Sequence, residues 1–150
     1  MTQEDKELLL KDLCARLPYD VKIHYHYSNS LGKVLDEDRE LDFSDVETLK
    51  YNIENQQNDW CDIFWKPYLR PLNSITEEEK KELSRKYNWW IAANDIIQIR
   101  YHSDGYWDDE TDCPTGEYFN LLDWLNKHHF DYRGLIDSGL ALVAPEGMYE

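Results

Sequence analysis

The chain has 150 residues, a formal net charge of −15 and an aromatic share of 14%. Such acidity argues against direct nucleic-acid binding, which depends on basic patches that displace counterions from phosphates. No apolar run approaches the roughly 20 residues of a membrane-crossing helix, so no membrane role is expected.

The length fits one domain, 1–150. Three cysteines, Cys14, Cys61 and Cys113, are an odd number without metal-ligand spacing. They read as reduced thiols of a cytoplasmic protein. The polar, acidic N-terminus has no secretory apolar segment.

In chain order, residues 3–17 read as a helix. Leu8, Leu9, Leu10, Leu13 and Leu17 give its stripe, Thr2 its cap, and Glu4 and Asp5 an acidic first turn. Cys14 lies near that stripe and reads as core. Residues 21–27 alternate, with Val21, Ile23, Tyr25 and Tyr27 on one side and Lys22, His24 and His26 on the other, which is the pattern of a half-buried strand. Turn residues 28–32 predict a hairpin, with residues 33–43 as the exposed return strand.

Ser44 and Glu47 have capping-box spacing, and Val46, Leu49 and Ile53 have helical spacing. Leu49, Tyr51 and Ile53 also alternate; a short helix is the reading taken forward. Residues 61–69 read as an aromatic strand followed by a proline-restrained exit. Thr76 and Glu79 form a second capping box before a helix with Leu83, Tyr87 and Trp90 along one side. Residues 96–101 read as a strand and 103–116 as a loop.

The densest apolar stretch is residues 120–148. Tyr118, Leu121, Leu122 and Leu125 fall on one helical face, widened by Phe119 and Trp124, with Thr115 as the cap. Lys127, His128 and His129 place cationic side chains at the C-terminal end, where the helix dipole favours them. A short helical turn is expected over 131–136, a left-handed residue at Gly139 and a final strand over 140–143. Leu122 and Leu125 are the expected structural anchors. The class expected is α+β, a small antiparallel sheet packed by about three helices.

Candidate chemistry is sparse. His24 and His26 share a strand face but lack a third ligand nearby, and His128 and His129 diverge on a helix, so no metal site and no cofactor are expected. Residues 104–112 are acid-rich but lack the calcium-loop spacing. Cys113 has acidic neighbours that disfavour a thiolate. No phosphate loop, nucleophile elbow or zinc-protease motif occurs. Arg70 and Arg133 sit in aromatic, apolar settings and read as structural arginines that lock one segment onto another, with anion binding as the alternative.

Three blocks, MTQEDKELLLKDLCARLPYDVK, KPYLRPLNSITEEEKKEL and DWLNKHHFDYRGLIDSGLALVAPEGMY, together 67 residues, resemble a family of short proteins found in gut Bacteroidales genomes, their prophages and other mobile elements. The resemblance implies a bacterial or phage cytoplasmic setting. It brings no catalytic residues with it.

Between Arg100 and Lys127 there is no Lys or Arg, while Asp104, Asp108, Asp109, Glu110, Asp112, Glu117 and Asp123 all fall there. Tyr106 and Trp107 lie inside this run, and aromatic residues within a charged rim are common interface anchors. The expected function is therefore that of a non-enzymatic accessory protein, with Asp104, Tyr106, Trp107, Asp108, Asp109, Glu110 and Asp112 facing an unidentified protein that has a basic surface. Two alternatives stay open: Tyr106 and Trp107 fold back onto the core, or the chain is a small ligand-binding domain or enzyme with an unrecognised site.

Overall fold

A computed structural model describes residues 1–55, 61–87, 90–91, 97–98 and 115–149, and the side chains of 1–51, 64–83 and 121–149. The fold is α+β. α1 (Gln3–Arg16) begins at a capping box in which Thr2 and Asp5 satisfy each other's amides. β1 (Lys22–Asn29) and β2 (Val34–Glu40) form the expected hairpin, and α2 (Phe43–Asn55) is helical. β3 (Cys61–Leu69) leads to α3 (Glu77–Tyr87), and β4 (Trp90–Ile91) pairs with β5 (Ile97–Gln98). α4 (Thr115–Lys127) and β6 (Leu142–Val143) complete the described elements.

The main sheet runs β2-β1-β3-β6. Its first three strands are antiparallel, whereas β6 joins β3 in parallel. α1, α2 and the 135–141 segment cover one face, where Leu9, Leu13, Val21, Ile23, Val46, Leu49, Trp65 and Leu69 pack with Leu135, Leu140 and Ala141. A second apolar cluster lies between α3 and α4 and contains Ile75, Leu83, Leu121, Trp124, Leu125 and Phe130. The C-terminal stretch thus contributes to both cores.

Local chemistry corrects several expectations. The cap of α2 is Asp42, not Ser44: Asp45 N donates to Asp42 Oδ1, and Asp42 N donates to Asp45 Oδ2. Asp45 is held there by Arg39 at 2.7 Å and by Trp65 Nε1 at 3.1 Å. Cys14 is exposed rather than core. The inward stripe of α1 follows Leu9, Asp12, Leu13 and Arg16, and Cys14 falls with Lys11 on the outer side. In α4 the inward stripe is Leu121, Trp124 and Leu125, so Leu122 is only partly buried.

Residues 131–136 form no helix. Asp131 accepts from Leu135 N at 2.9 Å and Ile136 N at 2.8 Å, holding one turn that Gly139 ends with φ +73°. Among the described residues, no helix is long and apolar enough to cross a membrane.

Candidate functional site

The three sequence blocks meet at the segment that follows α4. α4 ends in a Schellman arrangement: His129 N donates to Asn126 O and Phe130 N to Leu125 O. The left-handed position that usually holds glycine is occupied by His129, at φ +59°. Phe130 then stacks back on Trp124, which supplies the apolar contact of the motif. Its neighbours pair with the strand exit, Arg70 N donating to His129 O and Asp131 N to Arg70 O, both at 2.8 Å.

This geometry places a charged centre inside the protein. Asp12 and Arg16, one turn apart on α1, are both fully buried. Arg16 Nε donates to Asp12 Oδ2 at 2.7 Å and Nη2 to Oδ1 at 3.2 Å, while Nη2 also donates to Phe130 O at 2.8 Å. Arg133 brings a second guanidinium, with Nε 3.2 Å from Asp12 Oδ1 but not aligned for a hydrogen bond. The bidentate partner of Asp12 is therefore Arg16, and Arg133 contributes one off-line ionic contact. Tyr132 lies between the two arginines, 5.6 Å and 4.8 Å from their guanidinium carbons, and its hydroxyl accepts from Arg133 Nη2 at 2.9 Å.

Arg70 is tied as firmly. Its Nη1 and Nη2 donate to the Glu79 carboxylate at 2.7 and 2.9 Å, and its guanidinium lies 4.2 Å over the Phe130 ring. Glu79 is also the capping acid of α3, accepting from Thr76 N at 2.8 Å. Burial alone would raise the Glu79 carboxyl; the Arg70 and Thr76 bonds outweigh it and hold it at about 2.

The histidines at this helix end do not behave as dipole-stabilised cations. Burial, reinforced by Arg16, His128 and Arg70, lowers His129 to about 4, and its Nδ1 has no hydrogen-bond partner among the described residues. Burial also lowers His128, against the pull of Glu79 3.4 Å away. Desolvation inside the core outweighs a helix-end charge effect of roughly 0.3–1 kcal/mol. His129 stacks on Tyr149 at 3.7 Å. The Tyr149 hydroxyl accepts from Lys22 N at 3.0 Å and donates to Tyr68 O at 2.8 Å; burial raises this phenol to about 12.

A cleft of about 590 Å³ opens beside this centre, lined by Arg70, Ser74, Thr76, Glu79, Glu146 and Tyr149 among others. Its arginine is already matched to one carboxylate and a second carboxylate stands beside it, which disfavours an anionic ligand. Glu79 is held ionised and Tyr149 protonated, so neither is poised for proton transfer near neutral pH.

Among the expected structural residues, Arg70, Leu125 and Arg133 sit in or against this assembly, with Leu122 at its margin. Asp104, Tyr106, Trp107, Asp108, Asp109, Glu110 and Asp112 lie outside the described residues. Sequence reasoning missed Asp12, Arg16 and Tyr149. The spacing of Asp12 and Arg16 was a signal, but the same i, i+4 pair decorates exposed helices everywhere. No protein-family model, curated protein or solved structure matches the chain.

Proposed function

We propose that this chain is a non-enzymatic accessory protein of a prophage or mobile element in a bacterial cytoplasm, acting by binding a protein with a basic surface. The observation that carries the reading is the edge strand β2. It ends the sheet, six of its seven residues are exposed, and four of those are Asp36, Glu37, Asp38 and Glu40. Leu31, Val34 and Leu35 extend the same hairpin with exposed apolar side chains. Acids around an apolar patch suit a partner that offers lysine and arginine around its own apolar centre. The acid-only run that holds Tyr106 and Trp107 would add a second contact of the same sign.

Capture of partners from host lysate tests this, using the full chain and a form with Asp36, Glu37 and Asp38 changed to Asn, Gln and Asn. A stoichiometric partner that is lost on neutralisation and at high salt supports the reading. A partner indifferent to both changes overturns the hairpin as the contact surface. The cleft supports a second reading, a small-ligand domain; a ligand that raises Tm in the full chain but not after Tyr149→Ala would favour it.

A further inference from the structure

The phase of the hairpin ladder decides which backbone groups of β2 face outward. The bonds from Asn29 N to Lys33 O and from Leu41 N to Val21 O mark two hydrogen-bonded pairs of the β1–β2 register. Bonded positions alternate in an antiparallel pair, so Leu35, Glu37 and Arg39 turn their amides and carbonyls toward β1. Val34, Asp36, Asp38 and Glu40 turn theirs the other way, to the side on which no described strand lies. The Glu40 carbonyl accepts from Arg39 Nη1 at 3.2 Å. Val34, Asp36 and Asp38 therefore carry the outward groups that another strand could pair.

Edge strands are commonly protected by shape, through proline, a bulge or extreme shortness, as well as by charge. β2 has seven residues and no proline, and its register with β1 runs unbroken from Val34 to Glu40. The guard it carries is charge. Asp36, Asp38 and Glu40 fall on the outer face at alternate positions. His24 lies against the first two and Lys22 against the third, yet all three side chains stay 55–59% exposed. Arg39, the one cation of the strand, is turned inward to Asp45 at 2.7 Å.

This guard is selective. A second copy of the chain, added antiparallel at the same edge, would set carboxylates against carboxylates, which is destabilising across a sheet. A strand with lysine or arginine at every second position would meet Asp36, Asp38 and Glu40 in turn, and opposite charges facing each other across strands are favourable. Its intervening residues would lie on the inner face beside the exposed Leu35, where β-branched side chains fit.

We infer that β2 is a docking edge for an extended basic segment of a partner protein, which joins the four-stranded sheet as a further strand. Main-chain bonds to Asp36 and Asp38 supply affinity, and the acidic row selects the segment. The inference rests on the hairpin being the partner-facing surface proposed above, and adds the mode of contact and the chemistry of the segment.

A peptide of alternating lysine and threonine, about eight residues long so that it spans β2, tests this. It is titrated into the full chain while amide exchange is followed residue by residue by NMR. The expected result is saturable, salt-sensitive binding that slows exchange at the Asp36 and Asp38 amides. The matching glutamate–threonine peptide should not bind. The lysine–threonine peptide with methyl groups on its lysine backbone nitrogens keeps its charge but lacks the donors that would face β2. It should bind about tenfold more weakly or worse. Equal binding by the methylated peptide overturns strand addition, as does slowed exchange at other amides instead of these, or no binding at all. Lysate capture that is salt-sensitive and lost when Asp36, Glu37 and Asp38 are neutralised would still support the broader reading in those cases, so the two fail separately.

Discussion

Two clusters of paired charges have opposite fates in this molecule. Asp12, Arg16 and Arg133 meet with Asp12 and Arg16 wholly excluded from solvent, whereas Lys22 and Glu40, and His24 with Asp36 and Asp38, meet on an open sheet face. Inside, Asp12 and Arg16 have been stripped of water, and the pairing geometry is what makes the fold tolerable. Outside, water competes for every partner, so the pairs contribute little to stability. Burial, more than charge, decides how much each cluster contributes to the fold.

Removing one member of the buried set should give the largest effect. Asp12→Ala leaves two guanidinium groups without their carboxylate, and a loss of about 3–5 kcal/mol is expected from chemical unfolding. A loss below about 1 kcal/mol would mean that water reaches the centre. The apolar neighbours come next. Leu125→Ala should cost about 2–5 kcal/mol, and Leu122→Ala distinctly less because its side chain is only partly enclosed. Equal costs at the two positions would contradict the inward stripe through Leu121, Trp124 and Leu125.

Acid should sharpen the same contrast with a smaller effect. His129 is held at about 4 in the fold against an ordinary 6.5, first by burial and then by Arg16, His128 and Arg70. Between those values the unfolded chain takes up the proton more readily. Stability from this group is therefore complete above pH 6.5 and lost as pH falls toward 4, at no more than about 1.4 kcal/mol per pH unit. His128 acts in the same direction. Glu79 enters lower, between its ordinary 4.5 and about 2. Melts at successive pH steps check this. His129→Asn, a residue that tolerates a positive φ, should flatten the upper part of the curve. The smallest change belongs to the open face: Glu40→Gln should alter stability by less than about 0.5 kcal/mol.

What could be read from the sequence was whatever depends on near neighbours. Leucine spacing found α1, alternation found β1, and the Thr2 and Thr76 caps were legible because each box closes within four residues. The start of α2 was misplaced by two residues because Asp42 and Asp45 have the same spacing as Ser44 and Glu47. Only Arg39 and Trp65, reached through the hairpin and the sheet, decide between them. The charged centre was illegible for a stronger reason. Nothing near Asp12 says that residues 130–133 will lie over it. The carboxylates beside His24 and His26 were hidden in the hairpin register, which would exchange them for residues of the opposite face if it slipped by one.

The bond between Arg16 and Phe130 spans 114 residues of chain. During synthesis at roughly 5–20 residues per second, that interval lasts about 6–23 s. For all of it, Asp12 and Arg16 are an ordinary hydrated pair on a helix whose inner face has no cover from Leu135, Leu140 or Ala141. The N-terminal half therefore waits for the segment that completes the enclosure of Leu9 and Leu13. A chaperone that shields apolar helices has its window there, and a ribosome stalled short of residue 130 would display a nascent chain that cannot close.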